Sequence, residues 1–241
     1  MKICHLIMAR GGSRGIPNKN LTKIGDHSLV GYRAISAQKS KNCDRLIIST
    51  DSEAIAADAR SYGVDVPFMR PAHLATDTAS TEDGMVHAVE YLESQGEVYD
   101  ALMLHEPSSP FATHLHLDEA VAMMVEKQAA LVVGMREILP ARIFCGEIDE
   151  CGRITTIVEN IKNLKRLDRQ AHRKEYTMNG AVYLIDWQFF KAHHQRYYSE
   201  DKSYGMIMPE AYSVEIDNPL DLRVAEASFA GGFVDKSFWD R

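Results

Sequence analysis

The chain has 241 residues, 45% of them hydrophobic, with a formal net charge of -7. That length suits one α/β domain, with or without a small insertion, and it is enough to bury a core. The acidic balance argues against a nucleic-acid partner, which needs a basic surface. It leaves room for a small anionic ligand held by a local cluster of Arg and Lys.

The four cysteines, Cys4, Cys43, Cys145 and Cys151, form neither a CxxC pair nor a zinc-ligand spacing. Cys4 lies inside an apolar run and reads as a buried thiol. The opening apolar run is shorter than an export signal, and no stretch is long enough to span a bilayer. A cytoplasmic protein without membrane contact is expected.

Short apolar runs alternate with amphipathic segments along the first 135 residues or so. Ile3–Met8 is predicted to be a strand, followed by a loop and a helix over 29–40. Arg45–Ser49 is a second strand and 53–62 a second helix. Ser80 with Asp83 has the spacing of a capping box, opening a helix that runs to about Leu92. A strand over 101–104, a helix over 115–126 and a strand over 131–134 complete the series. Strand–helix alternation of this kind predicts a mostly parallel sheet with helices on both faces. Ligands of such sheets bind beyond the carboxyl ends of the strands. Between 139 and 173 the pattern changes. Residues 142–147 and 153–158 read as a hairpin turning at Asp149-Glu150-Cys151-Gly152, followed by a basic stretch over 162–174. The segment is either a surface excursion or a dimerisation arm, and the main fold resumes at 180–185.

The first strand runs into Ala9-Arg10-Gly11-Gly12-Ser13-Arg14-Gly15-Ile16-Pro17-Asn18-Lys19-Asn20. Glycines let a backbone approach a phosphate and turn its N–H groups toward it. No Gly-Lys-Ser/Thr opens a helix, so this is not a P-loop. Gly11, Gly12 and Gly15 do not make GxGxxG, and Pro17 stands where a dinucleotide helix would begin. Arg10, Arg14 and Lys19 suit a triphosphate, although a Gly-rich turn with solvated cations reads the same residues.

Near the C-terminus, Glu215 and Asp217 flank Ile216, and an extended segment puts both carboxylates on one face. Asn218-Pro219-Leu220-Asp221 then reads as a capped helix start, with Pro219 at its first position. The pair can hold Mg²⁺ against phosphate oxygens, or it is a solvated acidic loop.

The glycine loop resembles the nucleotide loop of the acylneuraminate cytidylyltransferases, also called CMP-sialic acid synthetases. Asp44-Arg45-Leu46-Ile47-Ile48-Ser49-Thr50-Asp51 resembles the family's second strand, and Arg70-Pro71-Ala72-His73-Leu74-Ala75-Thr76-Asp77-Thr78-Ala79-Ser80 its base-pocket segment. Met178-Asn179-Gly180-Ala181-Val182-Tyr183 and Glu215-Ile216-Asp217 continue the match over nearly the whole chain.

The resemblance implies one domain over 1–241 of the nucleotide-diphospho-sugar transferase type; 139–173 is expected to be an inserted dimerisation hairpin or arm of a homodimer, because Ile143, Phe144 and Ile148 would otherwise meet water. It implies that CMP passes from CTP to the anomeric hydroxyl of a nine-carbon acidic sugar, N-acetylneuraminate or a close relative, with pyrophosphate leaving. The same chemistry on legionaminate, pseudaminate or an octulosonate is the alternative. A nicotinamide-dependent oxidoreductase, for which Asp51 supplies only the acidic residue after the second strand, and a non-catalytic nucleotide-binding module are weaker ones.

By the same resemblance, Arg10, Lys19 and Asp217 are catalytic. Arg10, Gly11, Gly12, Ser13, Arg14, Lys19, Asn20, Arg70, Ala79 and Thr81 hold the nucleotide, and Glu215 with Asp217 holds Mg²⁺ or Mn²⁺. Glu106, Arg142, Arg169 and Asn179 meet the sugar. The family usually has Asp where Glu215 stands. It usually has Gln where Glu106 stands in Leu104-His105-Glu106-Pro107-Ser108-Ser109-Pro110. A carboxylate only accepts hydrogen bonds, so Glu106 favours hydroxyl or ammonium substituents over carbonyls. Arg142 and Arg169 otherwise read as part of a basic surface loop.

Overall fold

The computed structural model of the chain describes residues 1–138, 144–162, 174–197 and 199–240. A sheet of six strands runs β4–β1–β5–β7–β6–β8. Its strands are β1 (Ile3–Met8), β4 (Arg45–Ser49), β5 (Ala101–His105), β6 (Leu131–Glu137), β7 (Tyr176–Asp186) and β8 (Ser203–Ile207). β1 lies parallel to β4 and β5, and β6 parallel to β8, whereas β7 runs antiparallel to both of its neighbours. The sheet is therefore mostly parallel, as the alternation predicts. Two short strands, β2 (Lys23–Ile24) and β3 (His27–Ser28), pair separately.

Alternation along β1 feeds both layers. Ile3 and Ile7 turn to the face covered by α1 (Leu29–Lys39), α2 (Glu53–Ser61), α4 (His114–Lys127) and α7 (Pro219–Ala230). Cys4 and Leu6 turn to the opposite face, under α3 (Thr81–Ser94) and α6 (Trp187–His193). Burial raises the Cys4 thiol far above its ordinary range, which makes it an inert core residue. Helix starts follow side-chain chemistry: Ser28, Ser52 and Ser80 each accept from a backbone N–H three residues on. At α7 the Asn218 carboxamide accepts from Leu220 and Asp221 N–H, while Asp221 accepts from Asn218 N–H. That is the capping box read from the sequence.

The expected hairpin is corrected. Residues 155–162 form a helix, α5 (Thr155–Lys162), in place of a second strand over 153–158. Ile154, Ile157, Val158 and Ile161 recur at the helical spacing of three and four. Ile154 and Val158 stay exposed, as does Ile148 before them. The first expected strand, 142–147, begins outside the described residues, and 145–149 is irregular. β8 carries little apolar signal of its own; as an edge strand it leaves Ile207 exposed.

A polar chain crosses the helix-rich core layer. Arg33 of α1, His105 at the end of β5 and His5 of β1 are fully buried. Arg33 Nη2 lies 2.9 Å from His105 Nδ1, His105 Nε2 lies 2.9 Å from His5 Nδ1, and His5 Nε2 lies 3.3 Å from the Asn42 carbonyl. Arginine can only donate, so His105 accepts at Nδ1 and donates from Nε2, and His5 passes the order on. Both rings are neutral: burial lowers His5 to about 4, and burial with the Arg33 charge holds His105 far below the usual range.

Candidate active site

The loop after β1 is tied to its surroundings at both ends. Gly11 N–H donates to Asp51 Oδ1 at 2.8 Å, which engages that carboxylate with loop backbone. Asn18 takes a left-handed conformation, φ 54°, and Lys19 enters a short turn of helix. The Asn20 side chain donates to the Arg10 carbonyl at 2.9 Å and closes the loop on itself.

Lys19 reaches the far segment of the chain. Its Nζ donates to the Ile216 carbonyl at 2.7 Å and pairs with Asp217 Oδ1 at 3.0 Å. Ile216 is fully buried and its N–H donates to the Ser108 carbonyl, so Glu215 and Asp217 share the opposite, outward face. Gly15 fits against the same segment: a Cβ on it would lie 2.1 Å from the Asp217 carbonyl oxygen. Gly180 backs Glu215. Its φ of +67° favours glycine, and a Cβ there would sit 2.9 Å from Glu215 Oε1. Burial and then the neighbouring Asp217 charge raise the Glu215 carboxyl.

These pieces surround a cleft of about 420 Å³ beyond the carboxyl ends of β1, β4 and β5. Arg10, Ser13, Arg14, Lys19 and Asn20 line it from the loop. Arg70, Ala79 and Thr81 line it from the segment before α3, and Glu106 and Asp217 from the remaining sides. Arg70 is clamped by the Ser49 hydroxyl at 2.9 Å and the Ser49 carbonyl at 2.5 Å, and burial lowers its pKa to about 10.

Other expected site residues lie elsewhere. Gly11 and Gly12 are outside the lining of the cleft, as is Glu215. Asn179 is fully buried where the β6–β7 register shifts at Gly134. Its amide donates to Ser213 Oγ at 2.9 Å and accepts from Ala181 N–H at 3.1 Å. Asn179 is outside the cleft lining and braces the segment leading to Glu215 from behind. Arg142 and Arg169 fall outside the described residues.

Three participants make contacts that carry no local sequence signal, because their partners are far along the chain. Asp77 gathers the loop cations, pairing with Arg10 Nη2 at 3.1 Å and Arg14 Nε at 2.6 Å. Gly15 is the second. The third is Arg196, whose Nε meets Glu82 Oε1 at 2.8 Å and whose Nη1 lies 3.5 Å from Glu106 Oε1. Glu106 is thus not an uncompensated charge. Burial raises its carboxyl and Arg196 opposes that shift.

A cytidylyltransferase family model matches residues 4–227. The chain belongs to the cytidylyltransferase family. It is 31% identical to post-translational flagellin modification protein B of Campylobacter coli, over 91% of this chain and 92% of that protein. It is also 31% identical to the N-acylneuraminate cytidylyltransferase of Escherichia coli, over 93% of this chain but only 51% of that protein, so it spans about half of that relative's length. A CMP-N,N'-diacetyllegionaminic acid synthase of Legionella pneumophila is 27% identical over 94% of this chain and 95% of its own. The fold matches a CMP:2-keto-3-deoxy-manno-octonic acid synthetase solved with CTP, with a TM-score of 0.69 at 14% identity, covering 96% and 99% of the two chains. Membership of this family is what the glycine loop and the carboxylate pair imply, and it removes the oxidoreductase reading.

Proposed function

We propose that this cytidylyltransferase transfers CMP from CTP to the anomeric hydroxyl of a nine-carbon acidic sugar. The hydroxyl oxygen bonds to the α-phosphorus, the bond to the β-phosphate oxygen breaks, the hydroxyl proton is lost and pyrophosphate leaves. The observation that carries this reading is Lys19, which joins the glycine loop to the Asp217 segment at the mouth of a cleft also lined by Arg10 and Arg14.

In this reading Arg10, Arg14 and Lys19 neutralise the triphosphate as charge moves to the leaving group. Arg10 and Arg14 exchange Asp77 for phosphate oxygens. Arg70 is held rigid by Ser49 against the base side, with Ala79 and Thr81 beside it. Glu106 accepts hydrogen bonds from the sugar. Arg169 belongs to the proposal as the cation for the sugar carboxylate, and Arg142 as a cation of the sugar site near the leaving pyrophosphate.

The residues present fit a divalent cation. Among the described residues no three His, Cys, Asp or Glu side chains cluster as a complete metal site. Two outward carboxylates, Glu215 and Asp217, suit Mg²⁺ or Mn²⁺ completed by water and substrate phosphate. Burial first, and then the Asp217 charge, raise the Glu215 carboxyl, and a bound cation would oppose both. When bound, the cation would polarise the α-phosphate and lower the pKa of the attacking hydroxyl.

A homodimer through 139–173 is part of the proposal, supported by the exposed Ile148, Ile154 and Val158. Light scattering at micromolar concentration tests it, and a monomer counts against it. Free thiols at exposed Cys145 and Cys151 suit a reducing, cytoplasmic setting. Among the described residues no helix is long and apolar enough to cross a membrane.

The deciding experiment measures pyrophosphate released from CTP with a panel of acidic sugars. N-acetylneuraminate is the first choice. Glu106 favours including legionaminate, pseudaminate and an octulosonate, because a carboxylate there selects for donor groups. No release with any member of the panel refutes the proposal.

A further inference from the structure

Arg196 lies just after α6, outside the cleft lining, yet it is nine-tenths buried, its guanidinium stacked on two tyrosine rings. Its Cζ is 4.8 Å from the Tyr183 ring centre and 5.3 Å from that of Tyr197. Through Nε it bonds to Glu82 in the first turn of α3. Through Nη1 it faces Glu106 Oε1 at 3.5 Å, and Nη1 is buried without a hydrogen-bond partner. A guanidinium held on three sides by a carboxylate and two rings is costly to build into an interior unless its charge is used. The carboxylate left for it is Glu106, which lines the cleft together with Asp77 and Asp217, the two acidic residues already paired with the loop cations.

We infer that Arg196 is a positioning residue for the acceptor: it holds Glu106 ionised and turned to the cleft, and fixes it to the first turn of α3. The inference rests on the proposed acceptor role of Glu106 and goes beyond it, because Arg196 decides how well that carboxylate reads the sugar. Without the guanidinium, Glu106 loses its nearest balancing charge in a buried setting, with only the more distant Arg33 left, and is free to take a proton or another rotamer. Either change alters an acceptor-only group into one that also donates, or removes it from the sugar. The nucleotide side keeps its contacts, because Arg70 is clamped independently by Ser49.

The test is a double-substitution cycle on the full-length chain, using Arg196→Met, Glu106→Gln and their combination, with Arg196→Lys as the charge-keeping variant. Melting temperature is recorded for each. The readout is kcat/KM and KM for the best sugar of the panel and KM for CTP, from pyrophosphate release. Arg196→Met is expected to lower kcat/KM for the sugar by about tenfold or more, with KM for CTP within about threefold of wild type. In the Glu106→Gln background the same substitution should change kcat/KM by less than about threefold, because the group through which it acts is gone. Arg196→Lys should recover part of the loss.

Equal losses in both backgrounds overturn the inference, and so does an equal rise in KM for CTP. A lysine variant that melts like wild type but is as impaired as the methionine variant overturns it too. A wild-type chain that releases no pyrophosphate with any sugar fails the functional reading itself and takes the inference with it. That result is distinct from an active enzyme whose cycle is additive.

Discussion

Replacing Gly15 by alanine tests whether the glycine loop and the carboxylate segment act as one unit. The added Cβ would lie 2.1 Å from the Asp217 carbonyl oxygen and 3.3 Å from its carbon. Non-bonded carbon and oxygen come to rest at roughly 3.4 Å, so loop and segment must part by about 1 Å. Neither has slack to absorb that shift elsewhere: the loop is closed by the Asn20–Arg10 bond, and Ile216 is buried behind Asp217. A displacement of about 1 Å between reacting groups costs on the order of a hundredfold in rate. That corresponds to about 2.7 kcal/mol of transition-state stabilisation. The segment is exposed on its outer side, so global stability should fall by only about 1 kcal/mol. Steady-state pyrophosphate release gives the rate, and a urea titration of the same preparation gives the stability. If Gly15→Ala turns over within about threefold of wild type, the close approach has no catalytic consequence and the reasoning fails.

Arg10→Ala and Lys19→Ala should each cost about 2–4 kcal/mol, or roughly a hundredfold to a thousandfold in kcat/KM, as expected for loss of one electrostatic contact to a leaving phosphate. Losses below about threefold in both would make the loop a structural feature. Turnover should stop in excess chelator and return with Mg²⁺, and CTP should be used in preference to UTP, ATP or GTP; full rate with chelator, or equal use of UTP, contradicts the corresponding assignment. Stability should fall as pH drops from 7 to 5.5. His5 and His105 resist protonation when folded but take a proton near 6.5 when unfolded, so acid favours the unfolded chain. Each neutral ring withdraws about 1.2 kcal/mol over that range. A urea midpoint that stays flat between pH 7 and 5.5 would show that the pair is not held neutral.

Much of the fold is legible because its signals are local. The Ile3–Met8 run, Ser80 at the start of α3 and the Asn218–Asp221 box each depend on residues within a few positions of each other. The 153–158 stretch misleads because its apolar residues support either period over so short a length. β8 is missed because an edge strand with Gly205 and an exposed Ile207 presents no alternating face. In the site, Arg10, Lys19 and Asp217 are legible as residue types in a known order. Arg196 and Asp77 are not, because each is defined by a charge more than sixty positions away. Asn179 is legible by residue type, whereas the bonds of its amide to Ser213 and Ala181 are not.

The two tryptophans of the chain fall one on each side of the sheet. Trp187 packs under the α3 layer with its indole N–H on Glu93, and Trp239 packs against Tyr32 and α1 with its N–H on Ser36. Both are buried, so each indole emits from a dry environment and shifts to the red when water reaches it. The protein thereby carries a native fluorophore in each of two core layers. A phenylalanine in place of either tryptophan leaves the other to follow the loosening of a single layer, with no dye attached.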